Sequence, residues 1–464
     1  MQIATTVLAL LLPGLCAGLC LNLFVPRGTT ARALNVWGCG TLLGLIALPQ
    51  LMRLLDARGF ALEFVSIAAI LAVVSLIALG LTLRSPAYRA PRAPVEFPAS
   101  RAQQLLFALL LGLITLRLIT LGLEVIWRPL YPWDATMHWA TKARVWFDNQ
   151  AIVPFVNAQE WLELGGEGVF TDRHPHYPAT IPLLQVWMNL GHGEWNESLM
   201  NLPWLLCLGA LGAAFYGQLR LSGLSTTLAL VATYLLLSLP LVNIHVALAG
   251  YADLFLGASY GCSVMCLHNW LRRRQSWLAA LALLFAVACP LIKNEGVIWF
   301  LSLVPATTVA FMQPRQAAKL FMLGLLGGIL LLLILPEEFE VAGYSIAQLR
   351  PEFNLGAVLG IVQNIWVHDS WHLFGYFMLV LFPLGLVMPG AMTKTYLAAT
   401  ATLACSVTAY LFLFVFTPFS VGAVNFAAVG RLSIQLAPAL MFLCALLYNE
   451  LLRRENFWVA PQQP

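Results

Sequence analysis

Apolar residues fall into long runs along this chain, separated by short polar or basic links. The runs cover about 3–25, 36–53, 61–83, 103–122, 199–218, 223–243, 248–267, 277–291, 296–312, 319–335, 372–389, 395–416 and 434–450. About 20 apolar residues in a helix cross the hydrocarbon core of a bilayer. Lipid offers no partner to an open backbone, so spans are helices or closed barrels. The short alternating segments of a barrel do not occur here. The pattern predicts an all-α fold, a polytopic transmembrane bundle of 11–13 spans. The run at 36–53 is weakly flanked and the one at 277–291 is short.

Two connections are long, 123–198 and 336–371. In the first, Pro132 suits the opening turn of a helix. The pattern from Asp134 to Phe147 predicts a short amphipathic helix. Asp134, His138 and Lys142 are spaced by four and share one face. Trp139, Ala143 and Trp146 lie on another, expected to rest in the headgroup layer. Ile181 to Leu190 is apolar but too short to span, which suggests a re-entrant or surface helix. His174-Pro175-His176-Tyr177-Pro178 leads into it, stiffened by its prolines.

Composition agrees with a membrane chain. Of 464 residues, 60% are hydrophobic and 10% charged, with a net charge of +4, against about 25% charged in soluble domains. The cysteines sit mostly in apolar runs, without C-x-x-C or metal spacing, and read as small apolar fillers. The first run lacks a basic lead and is long enough to be a retained helix. Basic residues sit in alternate links: Arg84, Arg89, Arg92 and Arg101; Arg272, Arg273 and Arg274; Arg315 and Lys319; Lys394; and Arg453 with Arg454. The positive-inside rule makes those links cytoplasmic. Both long connections then face outward, together with Lys293–Glu295 and 417–433. Arg53 and Arg58 fall on the outer side against the rule. The charge serves topology and suggests no nucleic-acid partner. No G-x-G-x-x-G or P-loop pattern is present.

Tyr131-Pro132-Trp133-Asp134-Ala135, followed by Trp139, Lys142 and Ala143, resembles the first extracytoplasmic loop of bacterial C-type membrane glycosyltransferases. These are the multi-span enzymes related to lipid A aminoarabinose transferase and the protein mannosyltransferases. His174 to Pro178, then Leu183, Leu184 and Gln185, resembles a second stretch of that loop. Lys293-Asn294-Glu295-Gly296 resembles a motif at a helix end of these proteins, and Arg431-Leu432 with Gln435 and Pro438 their late segment. The resemblance covers about 103–450. It leaves 1–102 as additional helices with a basic cytoplasmic link, and 451–464 as a cytoplasmic tail. It implies sugar transfer on the outer face of the cytoplasmic membrane, from a polyprenyl-phosphate donor to a lipid, glycan or protein acceptor. It also implies an acidic first-loop residue acting as base or as ligand of a divalent ion; by position this is Asp134.

The residues supply matching chemistry, each beside a plainer reading. Asp134 is the candidate base for the acceptor hydroxyl, or a helix N-cap. Lys293 would meet the donor phosphate as a point charge and Glu295 would orient it or bind acceptor; the plainer reading is a Lys–Glu pair at a loop. Arg431 would hold phosphate oxygens in a two-pronged geometry, or is an ordinary helix-end arginine. His138, Lys142, His174, His176 and Tyr177 are candidate substrate-binding residues, with Asp134 and His176 as the pair that would hold a divalent ion. Asp253, in an otherwise apolar run, would face a cavity or pair with a neighbouring helix. The competing functions are a transporter or flippase of lipid-linked glycans, and a glycan polymerase or ligase.

Overall fold

The computed structural model describes residues 2–85, 91, 93–94, 96–341, 344–349, 351–387 and 393–458. Arg89 and Arg92 of the basic link lie outside them, as does the end of the tail. The described residues are overwhelmingly helical, and the contacts divide the chain into two compact units. Unit 1 takes Met1–Gly217, Val242–Ser259 and Pro290–Asn294. Unit 2 takes Gln218–Leu241, Tyr260–Cys289 and Glu295–Pro464. The 1–102 segment thus shares a unit with the first long connection.

The first four helices are α1 (Gln2–Asn22), α2 (Arg32–Asp56), α3 (Phe64–Arg84) and α4 (Arg101–Trp127). The connection that follows holds a π-helical turn, Ala135–Ala140, continued by α5 (Thr141–Asn149). It then holds β1 (Phe155–Val156), α6 (Ala158–Glu163), β2 (Phe170–Thr171) and α7 (Thr180–His192). Next come α8 (Leu202–Leu221), α9 (Thr226–Leu237), α10 (Pro240–Ala247), α11 (Asp253–Arg273) and α12 (Ser276–Ile292). The rest of unit 2 is built from α13 (Gly296–Leu301), α14 (Leu303–Phe311), α15 (Pro314–Ile334), α16 (Ile346–Leu349), α17 (Leu355–Val362), α18 (Phe374–Val387), α19 (Lys394–Val415), α20 (Val421–Val424) and α21 (Val429–Trp458).

Among the described residues seven helices are long and apolar enough to cross a membrane: α1 to α4, α8, α19 and α21. They become eight if the bent pair α9–α10 is one span. The chain is a multi-pass membrane protein. Several apolar runs are not single long helices. The run at 296–312 is α13 and α14, broken at Ser302, and α12 and α18 are short. The connection at 336–371 contains an apolar helix, Leu355–Val367, that ends in a π turn.

In unit 1, α1 and α2 cross at close range. Gly14 and Gly18 repeat at four on α1, Gly40 and Gly44 on α2. A Cβ on Gly40 would fall 2.5 Å from the Gly18 Cα, and one on Gly44 would strike the Pro13 carbonyl. Small residues at this spacing let helix backbones touch in lipid. Arg32 reaches back to the carbonyls of Asn22 and Val25, which have no partner of their own at the end of α1.

These N-terminal helices hold the long connection. Trp187 of α7 donates its indole N–H to the Ala9 carbonyl at 2.7 Å. Thr6 and His192 meet at 3.0 Å. Gln50 donates to the Thr180 hydroxyl at 3.0 Å. The turn between α2 and α3 is tied in as well: the Ile152 amide donates to Asp56 Oδ1, and the Leu62 amide to the Gln150 carbonyl. Arg53 and Arg58 therefore belong to the same end of the unit as the connection. Nearly every residue of α7 is buried, which corrects the expectation of a surface helix: its apolar faces are covered by protein. Trp139 and Trp146, expected in the headgroup layer, are buried too.

Candidate functional site

The central residue of the first connection is one that the sequence pattern did not mark. Asp172 follows β2, and its amide donates to the Val156 carbonyl at 3.0 Å, prolonging the parallel β1–β2 pair. That short pairing brings the buried Asp172 carboxylate onto the π turn and α5. His138 Nδ1 lies 2.6 Å from Oδ1, Lys142 Nζ 2.8 Å from Oδ2, and the His174 amide donates to Oδ1 at 3.1 Å. The last bond is the side chain-to-backbone turn that aspartate makes two residues on. The predicted shared face of His138 and Lys142 is therefore real, and its partner is a carboxylate thirty or more residues away.

Lys142 is 1% exposed. Besides Asp172 it donates to the carbonyls of His174 (2.7 Å) and Pro175 (3.3 Å). Its three ammonium donors are thereby all spent on the chain. Lys142 thereby holds the 172–175 segment against α5.

Above this pair lies an aromatic stack. Tyr177 stacks on Trp139 at 5.0 Å and on His174 at 4.8 Å, and the His138 ring stands edge-on to His174 at 4.8 Å. Trp139 is fully buried, whereas His174 and Tyr177 are half-buried and His176 is exposed. Asp134 immediately precedes the π turn and is half-buried. Its side chain makes no capping bond to the helix, so the N-cap reading of Asp134 is not realised.

Charges in this cluster follow from burial and pairing. Burial raises the Asp172 carboxyl, but Lys142, the His174 amide and His138 outweigh it and hold the group below the ordinary carboxylate value. Burial pulls the Lys142 ammonium below its ordinary value against the opposing pull of Asp172. Burial also lowers the His174 imidazole, helped by His138 and opposed by Asp172 and Asp134.

A second buried pair lies in the same unit. Lys293 Nζ is 3.0 Å from Asp253 Oδ1, with side chains 3% and 0% exposed. The carboxylate that meets Lys293 is thus Asp253. Asp253 opens α11 rather than sitting within an apolar span, where a carboxylate favours the positive helix end. Two contacts join the neighbours of this pair to the connection. Gly250, with φ +112°, packs so closely on Ala135 that a Cβ would fall 2.5 Å from the Ala135 Cβ. Thr180 donates its hydroxyl to the Leu291 carbonyl at 2.5 Å.

Glu295 and Arg431 belong to unit 2. Glu295 is buried just before α13, and its carbonyl accepts the Ile298 amide. Arg431 is half-buried in the first turn of α21. Two turns of hydroxyl and amide groups follow it: Ser433 donates to the Gly430 carbonyl, and Gln435 accepts the Trp299 indole N–H at 2.5 Å.

Among the described residues no group of three or more His, Cys, Asp or Glu side chains is arranged to hold a metal ion. Asp134 and His176 alone would give a divalent ion two protein ligands, too few to fix a hard cation. Comparison with known protein families, curated proteins and solved structures returns no match to this chain.

Proposed function

We propose that the chain is a membrane glycosyltransferase. It moves a sugar from a polyprenyl-phosphate donor to a lipid, glycan or protein acceptor on the extracytoplasmic face of a bacterial cytoplasmic membrane. One observation carries this reading. The two stretches that bear the resemblance, 131–143 and 174–178, fold onto each other through Asp172, and the Lys293–Asp253 pair adjoins them through Gly250 and Thr180.

Asp134 takes the proton of the acceptor hydroxyl as its oxygen bonds to the anomeric carbon of the sugar. The bond from that carbon to the phosphate oxygen breaks, and the electron pair leaves with the phosphate. Lys293 takes the donor phosphate as a point charge. His138, His174, His176, Tyr177 and Asp253 line the way for sugar and acceptor. Aromatic and imidazole rings suit that task, since their faces cover apolar sugar surface while their edges hydrogen-bond. A lipid-linked donor also fits a chain without a nucleotide-binding motif.

The second reading is a transporter or flippase of lipid-linked glycans. It is favoured by the Asp253–Lys293 pair, since buried charges in membrane helices often lie on transport paths. A polymerase or ligase would use the same lipid-linked donor. Purified protein in lipid nanodiscs, given radiolabelled polyprenyl-phosphate sugars and an envelope extract as acceptor, separates these. Release of polyprenyl phosphate with label moving to a discrete acceptor, lost in Asp134→Asn, supports the glycosyltransferase. Growth of label into a polymer ladder indicates the polymerase. No transfer with any donor, using an acceptor pool shown competent with another enzyme, overturns the reading in favour of transport.

A further inference from the structure

The Asp172 cluster engages only one of the two ring nitrogens of His138. His138 is held at Nδ1 by a buried carboxylate 2.6 Å away. Among the described residues its Nε2 has no hydrogen-bond partner, and the residue keeps 8% of its surface. A carboxylate on Nδ1 fixes the tautomer with the proton on that nitrogen, orients the ring and stabilises the imidazolium. Nε2 is then left as a proton acceptor. Asp134 lies four residues earlier, one turn away on the same helix face, and the ring of His174 stands edge-on to His138.

We propose that His138 is the proton-transfer residue that empties Asp134, with Asp172 as its positioning residue. This rests on the glycosyltransferase reading. After the sugar has moved, Asp134 is a carboxylic acid and must lose its proton before the next turnover. The proton passes from Asp134 to His138 Nε2, directly or through one water. The imidazolium then gives its Nε2 proton to bulk water or buffer, and Asp134 is an anion again. No electrons change hands, and one proton leaves for each sugar moved. The charged and titratable groups around His138 are Asp172, His174 and Tyr177 from the facing segment, and Asp134 and Lys142 on its own helix. Lys142 compensates the charge of Asp172 when His138 is neutral. Burying this carboxylate therefore leaves no net charge in the resting state.

The test compares steady-state transfer by nanodisc-reconstituted wild type, His138→Ala, His138→Gln and Asp172→Asn. Loss of general acid–base assistance slows a step by about 100-fold or more. The expected result is a kcat lowered about 10- to 100-fold in His138→Ala with KM little changed. Added imidazole should restore it in proportion to imidazole concentration, because free buffer replaces the missing ring. His138→Gln keeps an amide donor for Asp172, and should show the same loss with the imidazole-like limb of the pH profile removed. Asp172→Asn should move that limb to lower pH. Wild-type kcat and pH profile in either His138 variant overturn the proposal, as does a folded His138→Ala that imidazole does not rescue. Absence of transfer in wild type overturns the glycosyltransferase reading itself. Transfer that needs Asp134 but not His138 overturns this inference alone.

Discussion

The ammonium of Lys293 lies 3.0 Å from a carboxylate oxygen of Asp253, and neither side chain reaches solvent. A pair so enclosed gains its attraction against a large cost of leaving water. Each partner depends on the other far more than a surface ion pair would.

Single removal therefore exposes the dependence. Lys293→Met takes the cation away from the buried Asp253 carboxylate and should destabilise unit 1 by about 3–5 kcal/mol. The double variant Lys293→Met with Asp253→Leu should recover much of that loss. Thermal unfolding of the three proteins in nanodiscs measures the difference. Transfer assays on the double variant then separate roles. Restored folding without transfer assigns Lys293 to the donor phosphate, whereas restored transfer makes the pair structural.

Asp172 invites the same treatment with a local readout. Asp172→Ala removes the carboxylate that joins His138 and Lys142 and should cost about 3–5 kcal/mol in the connection. Hydrogen exchange should show residues 135–149 and 172–178 opening together. Protection lost in only one of the two stretches would contradict a single shared anchor.

Acid should loosen the same two stretches. The folded His174 imidazole binds its proton less readily than an unfolded one. Stability therefore falls as pH drops below about 6.5, the ordinary imidazole value. The folded Asp172 carboxyl is likewise held below its ordinary value. Its contribution is complete above about pH 3.9 and is lost as pH falls through the folded value. Protection at 172–178, taken relative to the intrinsic exchange rate at each pH from pH 8 to pH 4, should fall on the acid side, and a flat protection profile would refute the assignment for His174.

The α1–α2 crossing predicts a steric failure. Gly40→Leu places a branched side chain where 2.5 Å separates a mere Cβ from the Gly18 backbone. The helices must part, at a cost of about 1–3 kcal/mol or more. A lowered unfolding midpoint with faster proteolysis of the 57–63 turn is the expected outcome. Gly112→Leu, on α4 where a Cβ meets nothing within 4 Å, is the control that should leave both unchanged.

How much of this was legible in the sequence depends on the range of each interaction. The long helices α1 to α4 are written in run length, because lipid thickness sets it. The face shared by His138 and Lys142 is written in helical spacing. The burial of α7 is not, since an apolar segment looks the same under protein as at a membrane surface. Breaks such as Ser302 escape hydropathy because the residues on both sides stay apolar. Asp172 was invisible for a different reason: its partners are about thirty residues away, and two strand pairs, Phe155 with Phe170 and Val156 with Thr171, deliver it. The only local hint was two basic-type side chains, His138 and Lys142, on one helix face with a single acid, Asp134, beside them. The spacing of Gly14, Gly18, Gly40 and Gly44 is a helix-contact signal written in the sequence itself.

The bonds from Ala9, Gln50 and Asp56 to the connection also set an order of events. Chains are synthesised from the N-terminus at about 5–20 residues per second and fold in that direction. The α1–α3 group is thus in the bilayer seconds before Trp187 leaves the ribosome. The segment that carries Asp134 and His138 is then laid onto a surface already waiting for it. A chain lacking residues 1–102 would make the same loop with nothing to receive it. Supplying residues 1–102 as a separate chain would test whether the first helices act as a template during biogenesis.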